Sequence, residues 1–224
     1  MTKTTRKPFF SKPQTRIPQY LFGFLLLGLG VIVILRSRLG AGSWDATTAN
    51  LSALLNSTLG TASFTINLVI MITLISFHKS FKYLLIVIPM ILMSLTLDFW
   101  DIIVFDDDFL LNAHFLIKAL AYGIGLLILS LGLALIITCD YIAGTIDELM
   151  LLVMKLVNTE KTFLVRLSIE MFAIILALIF GFFAGIGFGA VNLGSILAGV
   201  ILPPLLAFHL VWLKRIIYQK KPSS

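Results

Sequence analysis

Six stretches of this chain are long and apolar enough to cross a bilayer, and that removes most folds from consideration. A crossing takes about 20 apolar residues over about 30 Å of hydrocarbon. Residues 19–35, 61–77, 83–104, 114–138, 163–183 and 195–213 meet the requirement. Backbone in lipid must satisfy its own hydrogen bonds, and none of the six alternates like a barrel strand, so all six predict helices. Only 12% of the residues are charged, against about 25% in soluble domains. The expectation is an all-α membrane protein, one compact unit of 224 residues.

The positions of the basic residues orient the spans. Fourteen of the seventeen lysines and arginines fall on one side if the N-terminus is cytoplasmic. They lie in a basic tail at 1–18, between spans two and three, around the start of span five, and in a tail at 214–224. Arg36, Arg38 and Lys118 fall on the other side. Excess Lys and Arg mark cytoplasmic loops, so both termini are expected in the cytoplasm. This bias accounts for the net charge of +6 without a nucleic-acid partner. The basic start is followed by no A-x-A-like cleavage site, so no signal peptide is expected. The acidic run Asp106-Asp107-Asp108 then faces outside, as a solvated cluster or as a cation-attracting vestibule.

Against this frame a weak internal repeat acquires a direction. GVIVILRSRLGAGSWD at 30–45 is echoed 102 positions later by GLALIITCDYIAGTID at 132–147. Gly30/Gly132, Ile34/Ile136, Ala41/Ala143, Gly42/Gly144 and Asp45/Asp147 are identical, and Leu54/Leu156 and Asn56/Asn158 continue the register. The copies begin three crossings apart, so they face opposite sides of the membrane. That is a 3+3 inverted repeat, with halves at 19–113 and 114–213 and a short amphipathic or re-entrant segment after spans one and four.

The repeated loops hold the first candidates. Gly40 and Gly42 precede Trp44-Asp45, and Gly144 precedes Asp147. Either each aspartate caps a short interfacial helix, or the segments dip inward and bring Asp45 and Asp147 to a shared polar centre. The first segment also carries Asn50 among several hydroxyls, whereas the second is far more apolar. Arg166 and Glu170 sit four apart at the start of span five, as a helical ion pair or as groups facing the bundle. Asp98, at the end of span three, is either interfacial or turned toward a cavity. The glycine-rich stretch through Gly181, Gly185, Gly187 and Gly189 permits close helix approach or a flexible break. Pro203-Pro204 is expected to disrupt span six.

Other chemistry is not indicated. One cysteine, Cys139, allows no internal disulfide, and three scattered histidines form no metal spacing. No nucleophile–base constellation, phosphate loop or HExxH appears, so neither an enzyme nor a bound cofactor or metal is expected.

The LG-x-x-x-WD loop (Leu39, Gly40, Trp44, Asp45), the later G-x-x-D loop (Gly144, Asp147), the R-x-x-x-E pair (Arg166, Glu170) and the glycine-rich stretch together resemble the YczE/YitT-like group of bacterial multi-pass membrane proteins, most closely its YczE branch. The resemblance covers about residues 20–205. This chain departs from the group's pattern at Ser43, where proline commonly precedes the WD, and at Ile146. The resemblance implies a bacterial plasma-membrane protein and no particular substrate. The expected function is a small-solute or ion transporter; the alternatives are a membrane accessory or scaffold protein and the substrate-binding membrane subunit of a larger importer. The expected partners are the lipid bilayer, a small solute or ion, and a second copy or another subunit.

Overall fold

The computed structural model describes residues 16–105, 110–139, 141 and 144–218; Asp106–Asp108 and Ala143 lie outside that set. Among the described residues there are eight helices and no strand. Six are long and apolar enough to cross a membrane: α1 (Ile17–Ser37), α3 (Leu59–His78), α4 (Phe81–Val104), α5 (Phe115–Cys139), α7 (Thr162–Phe183) and α8 (Leu193–Tyr218). The short helices α2 (Ser43–Leu55) and α6 (Thr145–Leu156) follow the first and fourth spans, as expected. Large apolar side chains such as Val69, Phe115, Phe163 and Val200 stand exposed along the spans, as a lipid-facing surface requires.

The centre of the bundle is an antiparallel seam between α1 and α5. Gly23 lies against Gly132 and Ile136, and Gly125 lies against Gly30 and Ile34. A β-carbon at Gly30 or Gly132 would collide with the facing backbone, so these two positions require glycine. Without a hydrophobic drive between helices in lipid, such close backbone approach is what supplies the packing energy. Val31, Ile32, Ile34, Leu126 and Leu129 fill the core around the seam.

Two local departures from regular helix matter later. The last six residues of α4, Phe99–Val104, widen into a π-helical turn, a feature that commonly re-aims side chains at functional positions. Pro203 and Pro204 both sit inside α8, which runs on past them. Each ring removes only its own N–H from the ladder, and membrane helices tolerate that loss.

The placement of α2 sets up everything else. Thr47 Oγ1 donates to the Ala173 carbonyl at 2.8 Å, and Asn50 Nδ2 donates to the Ala177 carbonyl at 2.8 Å, so α2 and α7 run parallel. Spans one and five cross in the same sense, so α2 also points the way α1 does. Residues 38–42 must therefore carry the chain back into the bundle before α2 starts. They are tied there by Ala41 N–H to the Ala190 carbonyl at 3.1 Å and Gly194 N–H to the Leu39 carbonyl at 2.8 Å. The first of the two short segments is thus re-entrant. It nests there because α7 presents Ala173, Ala177 and Gly181 one turn apart, all buried.

Candidate functional site

Asp45 and Asp147 each occupy the third position of a short helix, behind Gly42 and Gly144 respectively. That position favours a carboxylate through the helix dipole. Among the described residues neither carboxylate accepts a backbone N–H, so the expected capping bond is not formed. Asp147 pairs with Arg166 instead (Nη1 to Oδ1, 3.1 Å), and Arg166 Nε reaches Glu170 Oε1 at 2.8 Å. The helical ion pair expected from the sequence is therefore present, with Asp147 added to it.

Asp45 stands at the other end of this chain of charges. It is half-buried and has no hydrogen-bond or ion-pair partner among the described residues. Burial raises its pKa, and the nearby Glu170 carboxylate raises it further. The indole N–H of the adjacent Trp44 is also buried without an acceptor. The Trp44 ring belongs to the apolar cluster of Leu74, Met90, Leu149 and Leu152, which joins α3, α4 and α6. The start of α2 thus meets the other short helix. The structure brings Asp45, Glu170, Arg166 and Asp147 together along the first turns of α7, rather than leaving the two aspartates at opposite surfaces. Exposure falls along the series, from 55% at Asp147 to 27% at Glu170.

Asn50 does different work. It is 1% exposed; besides Ala177 it donates to the Phe188 carbonyl at 3.2 Å, and its Oδ1 accepts the Ala190 N–H at 2.9 Å. It therefore fastens α2 to α7 and to the loop between α7 and α8. Gly189 (φ +55°) and Gly181 pack directly on this amide, and a β-carbon at either would strike it. Gly40 (φ +121°) plays the corresponding part opposite, with its α-carbon against the backbone of Ser195. The glycine-rich stretch is a tight turn closed on Asn50.

Asp98 lies apart from the charge series. Its two oxygens accept the Gly60 N–H at 2.7 Å and the Thr58 hydroxyl at 2.9 Å. It caps the start of α3 from a neighbouring helix, satisfying donors that the first turn of a helix leaves open.

One feature was not read from the sequence. A cavity of about 500 Å³ opens at the end of the bundle opposite the charge series, lined by Leu35, Arg36, Arg38, Asn50, Ser52 and Asp101 among others. Arg36 Nη2 binds Asp101 Oδ1 at 2.6 Å, with the α4 π-turn presenting the carboxylate. The available signal was a pair of opposite charges closing two spans, Arg36 on α1 and Asp101 on α4. Their contact spans 65 positions and no local spacing reveals it.

Comparisons with known proteins place the chain in a family without assigning it an activity. The chain is 29% identical over 185 residues to the uncharacterized protein YyaS of Bacillus subtilis (strain 168), covering 82% of this chain and 90% of that protein. No solved structure matches the chain. The family model for DUF6198, a family of unknown function, matches residues 14–210, and the chain belongs to that family.

Proposed function

We propose that this protein is a small-solute transporter of the permease type, built as a 3+3 inverted repeat in a bacterial plasma membrane with both termini cytoplasmic. The observation that carries the reading is Asp45. A half-buried carboxylate with no partner among the described residues, beside a second carboxylate and a buried unpartnered indole N–H, is expensive in a membrane protein and is kept where a solute or ion uses it. It sits on the re-entrant helix whose other end lines the 500 Å³ cavity. α2 therefore links a charged site to a space of ligand size.

The repeat is supported by its packing. Gly23 and Gly125 are 102 positions apart, as are Gly30 and Gly132, and Ile34 and Ile136. The contacts Gly23–Gly132 and Gly125–Gly30 exchange under that shift, as do Gly23–Ile136 and Gly125–Ile34. The same shift carries α2 on α7 into α6 on α3, and α1 on α4 into α5 on α8. Asn56 and Asn158 (φ +49° and +51°) end the two short helices alike. Transporters of this plan place their site where discontinuous segments of the two halves meet. The LG-x-x-x-WD loop at Leu39–Asp45 remains our reason for relating the chain to the YczE branch.

The test is uptake into proteoliposomes. Asp45→Asn combined with Glu170→Gln is expected to abolish it while leaving the folded bundle intact; uptake at the wild-type rate would overturn the reading. The accessory or scaffold reading draws on Asn50 and Asp98, whose polar atoms are engaged inside the protein. It expects the double variant to keep its biological role. The importer-subunit reading expects co-purification with ATPase subunits.

A further inference from the structure

We infer that the cavity at the far end of the bundle is a binding site for a small organic monoanion, a carboxylate on a short apolar body, held by Arg38. The inference deepens the transport reading by naming a solute class, and it rests on that reading only for the solute's passage; binding is measurable without it.

The cavity is closed by α1, α2, α4 and the loop between α7 and α8. Its described charged lining is two guanidiniums and one carboxylate. Arg36 and Asp101 are committed to each other at 2.6 Å, with side chains 16% and 18% exposed. Arg38 is not so committed: it is exposed and makes no ion pair or side-chain hydrogen bond among the described residues. The described lining therefore has one positive charge in excess, carried by the arginine that is free to move onto a ligand. A planar guanidinium matches a carboxylate with two parallel N–H···O bonds.

The backbone holds that arginine in place. Arg38 ends α1 at φ +60°, with its N–H on the Leu35 carbonyl. Glycine or asparagine is the usual occupant of this left-handed position, and other side chains carry a penalty there of about 1–2 kcal/mol. Asn56 and Asn158 fill the comparable positions after α2 and α6, and Lys79 the one after α3, away from the cavity. An arginine at the rim of a cavity, where a cheaper residue would end the helix as well, points to a use for the side chain.

The remaining lining gives the body of the ligand. Leu35, Leu59, Ile186, Ala49 and Ala53 are apolar, and Asn50 is already hydrogen-bonded elsewhere. A volume of about 500 Å³ lies within the range of about 300–1,000 Å³ typical of small-molecule sites. Among the described lining, one cation without a protein partner and an apolar wall suit a single negative charge with a hydrocarbon tail better than a polyanion.

The experiment uses the full-length protein in detergent, with acetate, butyrate and hexanoate as probes, their neutral amides as shape controls, and inorganic phosphate as the competing anion. Binding is read by calorimetry and by the shift in melting temperature, since a ligand of the folded form raises apparent stability. The carboxylates are expected to bind with affinity rising along the series, and the amides to bind at least about tenfold more weakly, the range of a lost charged hydrogen bond. Arg38→Gln is expected to abolish the difference between acid and amide. Arg38→Asn, which suits the left-handed backbone, should do the same and shows that the loss is not one of folding. Equal binding of acid and amide, phosphate binding as well as hexanoate, or full carboxylate binding by a folded Arg38→Asn variant each overturns the inference. Binding without uptake of the bound acid leaves this site standing and removes the transport reading for that solute; uptake of another solute with no carboxylate binding does the reverse.

Discussion

The two short helices, α2 and α6, start behind matching glycines and end in matching asparagines, yet they are used in opposite ways. α2 is drawn into the bundle and hydrogen-bonds the backbone of α7 through Thr47 and Asn50. α6 buries Leu152 and Thr145 against α3 and its neighbours and leaves Asp147 exposed. The difference lies in the receiving helix. α7 offers Ala173, Ala177 and Gly181; the residues 102 positions earlier are Met71 and Ile75 on α3 and Lys79 just past its end. Small residues let a helix approach until side-chain amides reach main-chain carbonyls, whereas Met71 and Ile75 hold α6 at side-chain distance. One frame thus supports a polar inner contact on one side and an apolar one on the other.

Exchanging the residues at this contact is expected to have the largest effect. Leu152 lies 102 positions after Asn50. Asn50→Leu removes three hydrogen bonds and leaves the Ala190 N–H buried without an acceptor. A loss of about 2–4 kcal/mol is expected, because a buried group left unpaired costs its full desolvation. Leu152→Asn should cost a similar amount for the opposite reason, an amide placed among Leu74, Met90 and Ile70. Thermal unfolding in detergent checks both. If Asn50→Leu is neutral, the polar character of the α2 contact is incidental.

Next in size is the receiving surface. Ala177→Met, which gives α7 a bulky side chain where α3 carries Ile75, forces α2 outward at about 1–3 kcal/mol of overpacking. The same substitution should slow or stop uptake, since Asn50 and Asp45 move with α2. The matching Ile75→Ala on α3 is expected to lower stability by about 1–3 kcal/mol as a cavity and to spare uptake. Uptake lost equally in both would mean that the two contacts are not used differently.

Asp98→Ala tests a contact outside the comparison. It frees the Gly60 N–H and the Thr58 hydroxyl at the start of α3. A capping loss of about 0.5–2 kcal/mol is expected, with uptake per folded molecule unchanged. A fall in uptake without a fall in melting temperature would draw Asp98 into the solute's path.

Much of this was legible from residue order. All six spans start within two residues of their expected bounds, and all but α8, which runs on to Tyr218, end within two, because length and hydropathy alone decide what can cross a bilayer. Asp45, Asp147, Arg166 and Glu170 could be chosen because charge is rare in such a chain. What residue order hid was depth. Gly40–Asp45 reads equally as an interfacial cap and as a re-entrant turn; the difference depends on the alanine and glycine face of α7, more than 120 positions away. The cavity stayed hidden for the same reason, since Arg36 and Asp101 meet only after α1 and α4 have packed.

The smallest effect on stability, and the sharpest test of how the two short helices communicate, is expected at Arg166. Its bond to Asp147 is exposed on both sides, at 45% and 55%, and exposed pairs contribute only about 0.2–1 kcal/mol. Arg166→Gln should therefore leave the melting temperature nearly unchanged. Its functional effect follows from position: Arg166 is the one described residue that touches both Asp147 of α6 and Glu170, the carboxylate beside Asp45 of α2. Removing it separates Asp147 from Glu170 and Asp45. If the series acts as a unit, Arg166→Gln lowers uptake as severely as the Asp45→Asn, Glu170→Gln double variant, and Arg166→Lys restores part of it. If Arg166 merely decorates the surface end of α7, uptake follows the melting temperature and hardly moves, and the two short helices then work independently.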